Sequence, residues 1–135
     1  MAYKISWLVP NRVMYQQYHG AVTLEDIITI QAMVDEYMEI GIAPVHVLIE
    51  VLELTDYPKR LAELQSVIKP KINEKQGWIV IVTTNTLIRF LASVGTQLSL
   101  IKVNMTTVDT RDAALKFLQE HDPLLVIPEE LRDAF

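Results

Sequence analysis

The longest run of Thr and Asn residues in this chain is Thr83-Thr84-Asn85-Thr86, with Arg89 three residues further on. Hydroxyls and backbone N–H groups at the start of a helix can hold an anion, and a guanidinium one turn in adds positive charge. The same residue types are ordinary helix N-caps, so capping is the plainer use. A second set is acidic: Glu50, Glu53 and Asp56. Paired carboxylates do acid/base work or hold a divalent cation; left alone they form a solvated acidic loop. Thr55 lies inside this set. A phosphate on Thr55 would add negative charge near a helix start, whereas Thr55 or Asp56 as a cap would only begin that helix.

The 3 histidines, His19, His46 and His121, show no metal-ligand spacing such as HxxxH. His46 and Glu50 would share one face of a strand. They would be separated by roughly 13 Å along it, so His46 reads as a hydrogen-bonded core or edge residue. Ser6, Ser66, Ser93 and Ser99 sit in no GxSxG elbow. Gly20, Gly41, Gly77 and Gly95 are isolated, so neither a P-loop nor GxGxxG is present. With 0 cysteines, disulfides, thiol catalysis and thiolate metal sites are excluded. No catalytic set assembles, and no metal or cofactor is expected.

These residues must be positioned by the elements around them. Tyr3 to Val9 is rich in β-branched and aromatic residues, Pro10-Asn11 is a turn signal, and Arg12 to Tyr18 reads as the return strand. A two-residue turn would set Trp7 opposite Met14. Gly20 is expected to end the hairpin. Thr23 is placed to cap a helix over about residues 24–40, with Glu25 and Asp26 favoured by its dipole and Gly41 and Pro44 stopping it. Val45-His46-Val47-Leu48-Ile49 reads as a strand covered on both faces. Glu50 to Tyr57 is expected to be its exit loop, and Pro58 to open a second helix carrying Leu61, Leu64 and Ile68. Trp78 to Val82 is a further apolar strand. Leu87, Phe90, Leu91 and Val94 mark a third helix, and Ser99 to Met105 another strand. Thr110 caps a fourth helix, with Ala113, Ala114, Phe117 and Leu118 inward, and Asp122-Pro123 stops it. Leu124 to Ile127 is an apolar tail.

The order is β-β-α-β-α-β-α-β-α: an α/β domain with a mixed, mostly parallel five-stranded sheet and an antiparallel edge strand. Residues 1–135 form a single domain, with a core over 3–120 and a C-terminal tail over 121–135. Ligands on such sheets sit beyond the carboxyl ends of the strands. Here those ends carry Glu50, Glu53, Thr55 and Asp56, then Thr83 to Thr86, then Asn104, Thr106 and Thr107.

Bulk composition bounds the function. The net charge is −5 and no basic run occurs, so a nucleic-acid surface is set aside. Apolar runs are far shorter than the roughly 20 residues of a spanning helix. Met1-Ala2-Tyr3-Lys4-Ile5-Ser6 does not read as an export signal, so a cytoplasmic location is expected. Half of the residues, 50%, are hydrophobic. That builds a core and leaves apolar surface to hide, which points to a homodimer. Trp7, Met14, Met33 and Tyr37 are the candidate interface residues, or else line a groove for an apolar small molecule.

At this element order the chain resembles the STAS domain, the fold of bacterial anti-sigma-factor antagonists. More narrowly, it is similar to the STAS/CRAL-TRIO-like group of small uncharacterised bacterial proteins. The resemblance covers residues 3–120. It is carried by Gly20-Ala21-Val22-Thr23-Leu24-Glu25-Asp26, Val47-Leu48-Ile49-Glu50, Trp78-Ile79-Val80-Ile81-Val82, and Val108-Asp109-Thr110-Arg111-Asp112-Ala113-Ala114 leading into Phe117-Leu118. It implies a non-enzymatic regulatory or protein-interaction domain, with a regulatory protein as partner. Its CRAL-TRIO side implies the alternative, a small carrier or sensor of an apolar or lipid-like ligand. Phosphorylated STAS proteins begin the helix after the third strand with an Asp-Ser pair, and that serine is the switch. This chain has Leu54-Thr55-Asp56-Tyr57-Pro58 there, with Thr55 an approximate positional match only.

Overall fold

A computed structural model describes residues 2–67, 74–90 and 104–128 of the chain. β1 (Tyr3–Val9) and β2 (Val13–Ala21) form the expected hairpin with Trp7 opposite Met14, but the turn takes three residues, 10–12, and the register shifts between Trp7 and Val9. Asn11 takes a left-handed backbone at φ 64 in the turn, a conformation Asn tolerates. α1 (Leu24–Ile40) follows. Its start is a full capping box: Thr23 Oγ1 accepts from the Asp26 N–H at 3.1 Å, and Asp26 accepts from the Thr23 N–H at 3.0 Å. Gly41 closes the helix, its N–H donating to the Tyr37 carbonyl at 2.9 Å.

β3 (Val45–Asp56) is 12 residues long, so the expected exit loop over Glu50 to Tyr57 is mostly strand. The cause lies in β2. Gly20 does not end it: at φ 68 it takes a conformation that a side chain would resist, and the ladder runs on to pair Ala21 with Asp56. Polar residues survive in a strand here because the pairing, rather than an apolar pattern, holds it. α2 (Leu61–Val67) starts later than Pro58, while Ile68 lies outside the described residues.

β4 (Gln76–Val82) contains the apolar run. A helix then begins at residue 86 and is described as far as 90 (α3). β5 is Met105–Val108, so Thr106 and Thr107 are strand rather than strand-end loop; Ser99 to Val103 lie outside the described residues. α4 (Arg111–His121) is capped by Thr110, whose Oγ1 accepts from the Ala113 N–H at 3.1 Å. Its inward residues are Ala114, Leu115 and Leu118, with Phe117 half-buried against Trp78; Ala113 is exposed. Leu115, not Ala113, falls on the stripe one turn from Leu118.

The five strands run in the order β1-β2-β3-β4-β5, antiparallel between β1 and β2 and parallel elsewhere. Cores lie on both faces. Ile5, Met14, Val45 and Val47 pack with Ile30 and Met38 of α1. Leu8, Val13, Leu48, Val80 and Val82 pack with Ala114, Leu115 and Leu118 of α4, joined by Leu125 and Ile127 of the tail. Tyr37 of α1 reaches across to β1, its hydroxyl donating to the Ile5 carbonyl at 3.1 Å. No helix among the described residues is long and apolar enough to cross a membrane.

Candidate functional site

Beyond Glu50, the β2–β3 ladder slips: Gln17 pairs with Glu50 and His19 with Glu53, so β3 carries an extra residue. Such bulges bend a strand and re-aim its side chains, and they recur beside functional sites. Glu50 points to the α4 face and is 6% exposed. A carboxylate buried there needs partners. Tyr15, on the same face of β2, donates its hydroxyl to Oε2 at 2.6 Å. Arg111, the first residue of α4, donates from Nη2 to Oε1 at 2.6 Å and from Nε to Oε2. A cation at a helix start opposes the dipole, and the two-point grip on Glu50 offsets that cost.

The electrostatics follow from this geometry. Burial works to raise the Glu50 pKa, but the bonds from Arg111 and Tyr15 outweigh it and hold the group below its ordinary 4.5. Burial, reinforced by the Glu50 charge, pushes the Tyr15 phenol up. The cluster is therefore an ionised carboxylate matched by a guanidinium and a neutral phenol donor. Beside it lies a shallow hollow of about 100 Å³ lined by Gln17, Tyr18, His19, Glu50 and Glu53. The lining is polar and the hollow is far smaller than an acyl chain requires.

The Thr83–Thr86 run lies at the same carboxyl edge. Asn85 is the working cap: its Oδ1 accepts from the N–H groups of Leu87 at 2.8 Å and Ile88 at 3.2 Å. Thr83 Oγ1 accepts from the Asn85 N–H at 3.0 Å, while Thr84 and Thr86 are exposed. Arg89 turns back on the strands, donating to Thr107 Oγ1 at 3.1 Å and to the Thr83 carbonyl at 3.0 Å, and it pairs with Asp109. The residues of the candidate anion loop are thus adjacent, with their one guanidinium directed at a carboxylate.

A third cluster stands at the opposite end of the sheet. His46, 3% exposed, accepts at Nδ1 from the Trp78 N–H at 3.0 Å and lies with Nε2 2.9 Å from Asp122 Oδ2. An acceptor at Nδ1 leaves Nε2 as the protonated nitrogen, donating to Asp122. Arg12 also reaches Asp122, at 3.3 Å. Burial would raise the Asp122 pKa, but His46 and Arg12 keep it below 3.8. His46 is the hydrogen-bonded core residue expected of it.

Thr55 is exposed in the last two residues of β3, before α2 begins at Leu61. The expectation that Thr55 or Asp56 caps the second helix is corrected: the Asp56 carbonyl accepts from the Val22 N–H at 2.9 Å, and its side chain holds Lys59 at 2.8 Å. Met14 is 0% exposed, so it presents nothing to a partner. Trp7 and Tyr37 pack ring to ring at 5.1 Å, and with Met33 they lie half-buried against the core under α1. The exposed large apolar residues are others, above all Ile40 at 65%, Leu124 at 84% and Val126 at 76%.

Tyr15, Gln17 and Arg111 were not legible as members of a site. One signal existed: Arg111 stands directly after its cap, where the dipole favours an acid and a carboxylate partner would offset the cost.

No family model matches the chain, and no curated protein matches it. Among solved structures, it is similar to an uncharacterised protein of the DUF3478 family with a SpoIIAA-like fold from Shewanella loihica PV-4. The TM-score is 0.59 at 17% identity, over 87% of this chain and 92% of that one. The chain therefore has a SpoIIAA-like fold, which is the fold of STAS domains and anti-sigma-factor antagonists.

Proposed function

We propose that this chain is a non-enzymatic regulatory or protein-interaction domain of STAS type, acting as a homodimer. The observation that carries the reading is the state of the sheet's carboxyl edge, where an α/β domain would hold a substrate. Its buried carboxylate and its helix-start guanidinium are already matched: Glu50 by Arg111 and Tyr15, and Arg89 by Asp109 and Thr107. A general base needs a pKa near neutrality, and Glu50 is moved the other way. The fold supports the regulatory class, and the exposed Ile40, Leu124 and Val126 supply apolar surface for a partner.

Native mass spectrometry of the full chain purified from cells tests this reading. The expected result is a dimer mass without a retained small molecule. A stoichiometric lipid-like adduct would overturn it in favour of a carrier of apolar ligands.

A further inference from the structure

The C-terminal segment after α4 has an unusual place in the fold. α4 lies over β3, β4 and β5. On that same face, Leu8 of β1 and Val13 of β2 are buried in one cluster with Leu125 and Ile127. Leu125 and Ile127 thus join residues of β1 and β2 in the core that α4 closes. Its residues alternate: Leu125 and Ile127 are 4% exposed each, while Leu124 and Val126 are mostly exposed. That is the pattern of an extended strap with two apolar pegs.

The strap is held differently from the rest of the chain. It belongs to no strand, and its backbone bond is a local turn, from the Leu125 N–H to the Asp122 carbonyl at 3.0 Å. A latch at Asp122, held by His46 and Arg12, fixes its origin, and Pro123 follows at once. An element fixed by two side chains and a hinge, without a ladder, opens more readily than the strands beneath it. A strap that opens leaves a strip of β1 and β2 already shaped for a Leu-x-Ile segment, and a second copy of this chain carries that segment.

We propose that residues 124–127 form an exchangeable strap hinged at Pro123, and that two copies dimerise by each laying Leu125 and Ile127 on Leu8 and Val13 of the other. The proposal rests on the homodimer reading above and specifies its interface. Exchange of identical elements costs little because each contact is one the closed monomer already makes. It is isologous, so it closes at two copies.

Isotope-filtered NMR on the full chain tests it, with dimers assembled from equal parts of differently labelled copies. The expected result is intermolecular contacts from the methyls of Leu125 and Ile127 to those of Leu8 and Val13. A dimer showing only intramolecular contacts at these methyls would overturn the strap exchange and leave the homodimer standing. A monomer at every concentration would overturn both. As a second measurement, Leu125→Ala is expected to lower the unfolding midpoint while leaving the dimer affinity within about twofold of the parent, because monomer and dimer lose the same contact. A dimer weakened roughly tenfold or more by Leu125→Ala would place Leu125 in a contact that only the dimer makes and would overturn the exchange.

Discussion

At the scale of single residues, the fold depends on charged groups that leave water only in company. Glu50 is tolerated inside because Arg111 and Tyr15 meet it. Arg111→Leu strands that carboxylate, and removal of one partner of a buried pair costs about 3 kcal/mol. Urea unfolding at neutral pH measures this as a lower midpoint with unchanged slope. The pH dependence has a fixed sign. Glu50 and Asp122 both have folded pKa values below their ordinary 4.5 and 3.8. Their contribution is complete above the unfolded values and is lost as pH falls through the folded ones. Stability should therefore decline below about pH 4.5, and Glu50→Gln should be less stable at neutrality yet show a shallower decline. His46→Leu leaves the Trp78 N–H without its acceptor and Asp122 without its buried donor, with Arg12 remaining, a loss of about 2 kcal/mol. The protonated nitrogen of His46, read from imidazole 15N shifts, should be Nε2.

At the scale of elements, caps and close approaches decide the boundaries. Thr23→Ala removes one half of the capping box of α1 and should cost about 1 kcal/mol, measured by urea unfolding. Gly77 is required for space rather than for backbone freedom: a Cβ there would land on the His46 imidazole. Gly77→Ala should therefore cost about 2 kcal/mol by overpacking and shift the His46 ring signals. The hairpin, α1, β4 and the start of α4 were legible because their signals are local: alternation, caps, an apolar run. The second half of β3 was not. Glu50 to Asp56 looks like a loop until β2 is known to continue through Gly20, and that depends on a partner strand rather than on the segment itself. The inward stripe of α4 was misread by one position, Ala113 for Leu115, because small apolar residues carry little directional signal.

For the whole molecule, element order led to the STAS-like fold, and the solved structure of similar shape agrees with it. The candidate site was less legible. Glu50, Glu53 and Arg89 could be named from their types, but their use could not. Arg111 lies 61 positions from Glu50 in the chain, and the contact exists only once α4 has crossed the sheet. The surplus of large side chains was visible as a number, and its placement depended on α1. Met14 is buried beneath that helix, Trp7 and Tyr37 pack half-buried against the same cluster, and the most exposed apolar residues are Leu124, Val126 and Ile40.

The bond from Tyr37 to the Ile5 carbonyl has a consequence for colloidal behaviour. β1 is an edge strand, and alternate carbonyls along an edge face away from its neighbour, free to recruit a strand from another molecule. The His19 N–H donates to the Ala2 carbonyl, so the inward set is the even-numbered one and Ile5 faces out. Tyr37 thus occupies the midpoint of a growth edge with a phenol from its own chain. Tyr37→Phe keeps the ring and frees the carbonyl. Its expected phenotype is faster thioflavin-positive fibre formation on agitation, with little change in unfolding midpoint; an unchanged lag time would mean the edge is guarded by other means.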